Sequence, residues 1–178
     1  MRGKLLITAT VAAGVLAGCT QADQPAKQSP ASTSTQPPSS TAPQAPPVPE
    51  PVAGGPCPYL ETGWVARTNG QRVSKVRVSQ GDPPACFFYT LNGKQQVSVR
   101  VYTGDATVSK AIVSDAAPVR RSNPADEPAG WQGGYMSTAD GAVYAVYSNG
   151  TAVVATTNQK QSVKAREIVE KVISTLGL

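Results

Sequence analysis

The clearest pattern in the chain is an alternation of apolar and polar residues in its second half. Over Gln96–Tyr102, three valines fall at every second position, with Ser98, Arg100 and Tyr102 between them. Because successive side chains of a strand point to opposite faces, this spacing predicts a half-buried β-strand with the valines facing inward. Short runs of the same kind recur between residues 56 and 178 and predict a domain rich in β-strands.

Turn residues separate these runs. Asn-Gly tolerates the positive φ that a tight hairpin needs, so it marks a point where one strand returns along the next. The chain has such pairs at Asn69-Gly70, Asn92-Gly93 and Asn149-Gly150, and a related pair at Asp140-Gly141. Around them we predict strands over Trp64–Thr68, Arg72–Ser79, Cys86–Leu91, Tyr135–Thr138, Ala142–Ser148 and Thr151–Thr157.

Two segments carry the helical spacing instead. Asp105 is a good N-cap for a helix over Ala106–Ala117, which Pro118 would end. From Ser162, which offers a cap, apolar residues recur three and four positions apart until Gly177, and this predicts an amphipathic C-terminal helix. The order of elements predicts an α+β fold: an antiparallel β-sheet with helices packed on one face, including the C-terminal helix.

The first residues follow a different pattern. Two positive charges at Arg2 and Lys4 precede an uncharged apolar stretch, Leu5–Leu16. The stretch is shorter than the roughly 20 residues of a membrane span and is typical of a signal peptide. The tetrapeptide "LAGC", which ends at Cys19, resembles the lipobox of bacterial lipoproteins at every position. The alternative is an ordinary cleavable signal with a chance cysteine near its end.

The lipobox resemblance implies a lipid-anchored protein. In that family the cysteine thiol receives a diacylglycerol and the chain is cut before the cysteine. Residues 1–18 would then be the lipoprotein signal peptide, with Cys19 as the mature N-terminus. Two acyl chains hold a protein stably on a bilayer. We therefore expect a protein anchored to the membrane through lipidated Cys19, on the outer face of the cytoplasmic membrane.

A linker and one domain follow. Residues 19–55 are rich in Pro, Ser and Thr and predict a disordered tether, with an O-glycosylated stalk as the alternative. Residues 56–178 have the length of a single α+β globular domain. Without Arg2 and Lys4, the 16 Lys and Arg become 14 against 11 Asp and Glu, a net charge of +3. That charge is too small to indicate nucleic acid as a partner.

Two cysteines are left for the domain, Cys57 and Cys86. An even pair outside the cytosol predicts a disulfide. The alternatives are two free thiols or a metal pair, but the chain has no His to complete a zinc site.

Residue types that many enzymes rely on are missing. With no His in the chain, Ser-His-Asp and Cys-His nucleophiles and His-ligated metals are excluded. The adjacent carboxylates Asp126 and Glu127 lie in a proline-rich stretch, which favours a solvated surface pair over a tuned acid and base. No phosphate-, dinucleotide- or calcium-binding motif occurs. We expect no catalytic residues, no cofactor and no metal.

One long connection is a candidate for binding. Pro118–Met136 combines Arg120, Arg121, Trp131 and Tyr135. Long loops in small domains are often functional, and Trp, Tyr and Arg dominate binding hot spots. The hypothesis is a partner-binding loop. The alternative is that the Trp packs onto the core while the two arginines pair with the carboxylates of the same stretch.

The domain also resembles actinobacterial (mycobacterial-type) cell-envelope lipoproteins, in which a small domain of unknown function follows a Pro/Ser/Thr-rich tether. The resemblance rests on "CPYLETGWV" (Cys57–Val65), "ACFFYTLNG" (Ala85–Gly93) and "ATTNQ" (Ala155–Gln159). It implies location and general architecture, and it implies no activity and no catalytic residues.

These observations favour a non-enzymatic binding or scaffolding module of the cell envelope, with an envelope protein, glycan or lipid as its partner. The alternative is a carrier of a lipid or small hydrophobic ligand in a cavity between the sheet and the C-terminal helix. An enzyme that works through Asp, Tyr or Arg is the third hypothesis.

Overall fold

Residues 44–178 are described by the structure, a computed structural model. The lipobox, Cys19 and most of the predicted tether lie outside these residues. The strands are β1 (Ala53–Gly54), β2 (Lys75–Val78), β3 (Cys86–Tyr89), β4 (Gln95–Thr103), β5 (Asn123–Ala125), β6 (Gln132–Thr138), β7 (Gly141–Ser148) and β8 (Thr151–Thr157). The helices are α1 (Thr62–Asn69), α2 (Ala106–Ala116) and α3 (Ser162–Leu176).

The eight strands form one antiparallel sheet in the order β1-β2-β3-β4-β8-β7-β6-β5. Strands β1 to β4 are neighbours in sequence order, and so are β5 to β8. The two halves meet along β4 and β8, where Val97 lies opposite Thr157 and Thr103 opposite Thr151. The α+β class, the antiparallel sheet and the C-terminal helix are confirmed.

Helices lie on both faces of this sheet. Val146 and Val153 lie opposite each other on β7 and β8, and they pack into the core that α1 and α3 cover. Their neighbours Ala145 and Val154 point the other way and pack with Ile112 of α2. The expectation of helices on one face therefore applies to α1 and α3, while α2 covers the opposite face. The reason is that β7 and β8 are buried at successive positions and have no polar face.

The strand predicted over Trp64–Thr68 is wrong, because these residues form the middle of α1. Val65 and Asn69, four positions apart, are buried on the same side of the helix. Gly70 follows in the left-handed conformation, with a φ of 72°, and its N–H caps carbonyls of the last turn. An Asn-Gly pair supplies positive φ for a helix end as well as for a hairpin, and the local sequence does not distinguish the two.

Other predicted turns and caps are confirmed, with one exception at the start of α3. Asn149 and Gly150 join β7 to β8 with φ values of 43° and 84°. Asp105 caps α2 as predicted and accepts hydrogen bonds from two N–H groups of the first turn. The cap predicted at Ser162 is wrong, because Ser162 is the first residue of α3 and Gln161 occupies the cap position without a side-chain cap hydrogen bond. Gly177 ends the helix in the left-handed conformation, as predicted.

Cys57 and Cys86 form the predicted disulfide, with their Cα atoms 5.6 Å apart. The bridge joins the segment before α1 to β3, and both residues are buried. The folded part begins before residue 56, since Ala53 and Gly54 pair with β2. A two-residue backbone pairing at the end of a proline-rich stretch leaves no hydrophobic pattern, so the sequence places it in the tether.

Candidate functional site

An apolar groove lies on the α2 face of the sheet. Its volume is about 320 Å³, within the range of small-molecule sites. Phe87 of β3, Val143 of β7 and Val154 of β8 line it, and Ile112 and Ala116 of α2 form one side. Such a concave surface can enclose an apolar ligand.

The groove exists because α2 covers only part of its face. The helix packs against β6, β7 and β8. On the neighbouring strands, Phe87 and Ser98 lie opposite each other and belong to the same face, beside the helix. Cys86 and Phe88 point to the other face and are part of the α1–α3 core. The consecutive apolar residues of β3 therefore supply both surfaces.

A short segment of the tether crosses the groove, and we call residues 44–50 the strap. The strap residues that line the groove are Ala45, Pro46, Val48 and Pro49. The guanidinium of Arg100 donates a hydrogen bond from Nη2 to the Pro46 carbonyl, at 3.1 Å. Among the described residues, no other hydrogen bond reaches the strap. The strap is therefore held by one polar contact and by apolar packing.

Arg100 gives the groove a polar end. It lies in the middle of β4 and is half-buried. Burial lowers the pKa of Arg100 from its usual value, and the nearby carboxylate of Asp115 opposes the shift. An arginine remains charged through such changes. No carboxylate lies within 4.0 Å of Arg100 in the part of the chain that the structure describes.

Two hydroxyl groups complete the polar end. Ser98 on β4 and Thr156 on β8 lie opposite each other, and their oxygens are 2.6 Å apart. Both residues line the groove together with Arg100 and Asp115. Apolar side chains thus meet one cation, one carboxylate and a hydroxyl pair in the same concave surface.

A second, polar pocket of about 350 Å³ lies beside the start of α3. Tyr135 and Tyr144 stack there, with ring centres 6.0 Å apart. Glu127 forms an ion pair with Arg166 of α3, and its backbone carbonyl accepts a hydrogen bond from the Tyr144 hydroxyl at 2.9 Å. Burial raises the pKa of Tyr144. These groups are engaged with one another, so the pocket offers an ion pair rather than a free acid and base.

The structure separates the residues of the predicted partner-binding loop. Trp131 is only 7 % exposed and belongs to the core under α3, so its place in a partner-binding loop is corrected to a place in the core. Tyr135 is half-buried against Tyr144. Arg120 and Arg121 are exposed, in a turn after α2.

The arrangement of this stretch also differs from the alternative. The alternative had the arginines paired with Asp126 and Glu127, but Glu127 pairs with Arg166 of α3. Residues 118–136 are not one loop either, because they contain β5 and the start of β6. The proline in β5 and the glycines in β6 hide the strand pattern, since neither residue type is typical of strands.

Sequence reasoning missed Arg100 as a groove residue. It assigned Arg100 to the outward face of its strand, and an outward arginine in a half-buried strand is normally solvated. The signal that could have found the site is Phe87, an apolar residue on the face opposite to the core valines. That residue indicates a second apolar surface.

No group of three or more potential metal ligands occurs among the described residues. None of their helices has the length and apolar character needed to cross a membrane.

Comparisons with known proteins agree with the extent of the folded part. The model of a family described as a domain of unknown function, DUF2020, matches residues 41–178. The curated proteins contain no match to the chain. The family match includes the strap, which the sequence analysis had placed in the tether.

Proposed function

Since the chain belongs to the DUF2020 family of domains of unknown function, we propose from the apolar groove that it is a ligand-binding module. In this proposal the protein is a non-enzymatic lipoprotein of the cell envelope. The lipid on Cys19 anchors it to the outer face of the cytoplasmic membrane. The groove beside α2 binds the apolar chain of a lipid or a small hydrophobic molecule.

The groove is the observation that carries this proposal. It combines an apolar lining with a volume of about 320 Å³. A chain that buries about eight methylenes would gain roughly 6 kcal/mol from their transfer out of water, from which the cost of association is subtracted. The polar pocket lacks this lining and offers no comparable gain.

We retain the ligand class of the carrier hypothesis, a lipid or small hydrophobic molecule, but we assign it to a different site. A cavity between the sheet and α3 was expected, and that interface is filled by completely buried side chains, including Ile168, Val169 and Val172. Native cores pack without voids of ligand size. The free concave surface lies on the α2 face instead.

The test is a groove-filling substitution. Ala116→Phe places a ring in the groove, whereas Ser114→Phe places the same ring on an exposed position of the same helix. We expect Ala116→Phe to weaken binding of a neutral fluorescent alkyl probe at least about tenfold, as loss of 1.4 kcal/mol would, and Ser114→Phe to leave it unchanged. Probe binding that is absent in the wild type, or equal in both variants, would contradict the groove as the site.

The anchor has its own test. Replacing the lipobox cysteine in Cys19→Ala removes the acceptor of the diacylglycerol, because only a thiol is modified in that family. We expect the variant to leave the membrane fraction or to accumulate as unprocessed precursor. Intact mass of the mature wild-type protein should show a lipid adduct on Cys19, and an unmodified mass would refute the anchor.

A second candidate function is contact with an envelope protein or glycan through the turn after α2. Val119 is 85 % exposed there, beside exposed Arg120 and Arg121. Ser122 holds the turn in place, because its hydroxyl donates to the carbonyls of Ala117 and Pro118. The turn thus presents an apolar side chain and two cations in a defined geometry.

This candidate is tested by recovery of partners from the native envelope. We expect Arg120→Ala combined with Arg121→Ala to lose a bound partner without a change in melting temperature. Lys110→Ala is the control, since Lys110 is an exposed cation on α2. Equal recovery by all three proteins would remove the turn from consideration.

A further inference from the structure

The position of Arg100 is unusual for a purely apolar site. Its guanidinium lies among groove residues, half-buried, where desolvation disfavours a charge. A hydrophobic residue at this position would complete the apolar lining without that cost. An anionic partner would offset the cost of placing the Arg100 charge here. No carboxylate of the described residues lies at ion-pair distance from it.

The polar partner that Arg100 does have is the strap. Of the five N–H donors of its guanidinium, one is accepted by a protein oxygen among the described residues, the Pro46 carbonyl. A neutral carbonyl accepts a weaker hydrogen bond than a carboxylate or a phosphate. The strap carbonyl thus occupies a position that an anionic oxygen of a ligand would fill more favourably.

We propose that the groove binds a single-chain anionic amphiphile, whose carboxylate or phosphate head pairs with Arg100 in place of the Pro46 carbonyl. The tail lies along Phe87, Val143 and Val154, and the Ser98–Thr156 hydroxyl pair lies on the same floor as the head. The proposal rests on the proposed function, since it specifies the ligand of the same groove.

Asp115 adjusts this selectivity. It lies on the last turn of α2, lines the groove, and its charge acts on Arg100. Because a carboxylate repels an anionic head, Asp115 weakens the preference that Arg100 creates. Replacing Asp115 by Asn should therefore strengthen the preference for an anion, and replacing Arg100 should abolish it.

Binding of the head also has a consequence for the strap. Arg100 cannot keep its hydrogen bond to Pro46 and offer the same N–H to a ligand. A head that takes this N–H competes with the Pro46 carbonyl for one donor, and the strap is then held by its apolar contacts alone. At its other end the strap stays attached, because Val52 donates to the Val78 carbonyl at 3.0 Å.

The test uses three ligands with the same ten-carbon alkyl chain: undecanoate, decyl phosphate and decanol. The protein is the full chain carrying Cys19→Ala, and the ligands compete with a neutral fluorescent alkyl probe below their micellar concentrations. We expect both anions to bind about 10- to 100-fold more tightly than the alcohol, as a hydrogen bond to a charged group would give. A preference for only one anion identifies which head the site fits.

Variants separate the head from the tail. In Arg100→Gln the anion preference should fall to within about twofold, because both anions lose far more affinity than decanol does, and in Asp115→Asn it should rise several-fold. Equal affinities of the wild type for the acid and the alcohol would overturn this inference while the proposed function stands. Absence of all binding, decanol included, would overturn both. Equal losses of acid and alcohol binding in Arg100→Gln would make Arg100 a structural residue and also overturn the inference.

Discussion

Tyr59 and Asn69 are polar residues that the fold encloses. The Tyr59 hydroxyl donates to the Pro84 carbonyl at 2.7 Å, which ties the segment before α1 to the loop before β3. The Asn69 amide donates to the side chains of Gln96 and Asn158, each at 3.1 Å, and so fixes the end of α1 to the sheet. Buried polar groups of this kind cost stability when they lose a partner.

The titration of Tyr59 can be tested directly. Burial raises its pKa well above the usual value of 10.0. A raised pKa contributes stability below the unfolded-state value, and this contribution is lost as the pH rises through the folded-state value. We therefore expect the free energy of unfolding to fall more steeply above about pH 10 in the wild type than in Tyr59→Phe.

The same variant has an effect at neutral pH. Tyr59→Phe should lower the free energy of unfolding by about 1 kcal/mol through loss of the hydrogen bond. Denaturant titrations across the pH range measure both effects. Parallel pH curves for the two proteins would show that Tyr59 titrates normally.

Gly133 is a residue where any side chain meets the backbone. A Cβ at this position would lie 1.9 Å from the carbonyl oxygen of Ala145 on β7. We expect Gly133→Ala to lower the free energy of unfolding by about 1–3 kcal/mol, the range for overpacking. Gly55→Ala is the matched control, since a Cβ there has no atom within 4 Å, and a similar loss in both variants would contradict the steric reason.

At the scale of elements, period and burial explain what the sequence predicts and what it does not. β4 alternates strictly because one face is core, and α3 keeps the helical period because only one side is buried, so both were predictable. α1 was not predictable, because its eight residues carry a weak apolar pattern and its last residue, Asn69, forms an Asn-Gly pair with Gly70. β5 and the start of β6 contain Pro and Gly, which mask pairing that the tertiary structure imposes.

The N-cap of α2 is the element-scale feature most open to test. Asp105 accepts hydrogen bonds from the Thr107 hydroxyl and from the N–H groups of Val108 and Thr107, and these lower its pKa from the usual 3.8. A lowered pKa contributes stability above the unfolded-state value, which is lost as the pH falls through the folded-state value.

We therefore expect Asp105→Ala to lower the melting temperature at neutral pH, with the difference from the wild type shrinking in acid. Asp105→Asn is the matched control, because it keeps the cap oxygen without a titrating group. Its melting temperature should depend less on pH below about pH 4. A difference between Asp105→Ala and wild type that stays constant into acid would show that the charge of Asp105 is irrelevant.

At the scale of the whole molecule, the groove results from how the chain distributes its apolar surface between two faces. β7 and β8 are apolar on both faces, α2 covers one of them in part, and the strap crosses the remainder. The sequence contains every residue of this site, but the position of α2 over one half of the sheet depends on long-range pairing. Local pattern therefore predicts the strands and helices of the site without predicting the groove between them.

The disulfide acts at this scale because it closes a loop around α1 and β2. The two cysteines are 29 positions apart in sequence, and closing a loop of that length contributes about 3–4 kcal/mol by the chain-entropy estimate. We expect reduction of the disulfide to lower the free energy of unfolding by this amount, measured as a lower denaturant midpoint. Cys57→Ala combined with Cys86→Ala should be destabilised similarly and should not respond to reductant, and an unchanged wild-type midpoint on reduction would contradict the estimate.

The junction of β4 with β8 determines how quickly the sheet can assemble. Apart from β1 and β2, which α1 separates, every other pair of neighbouring strands is close in sequence and can form through local pairing. β4 ends at Thr103 and β8 begins only at Thr151. Closing this long loop costs conformational entropy before the pairing of β4 with β8 stabilises the sheet. Substitutions along this junction, such as at Val101 or Val153, should therefore slow refolding.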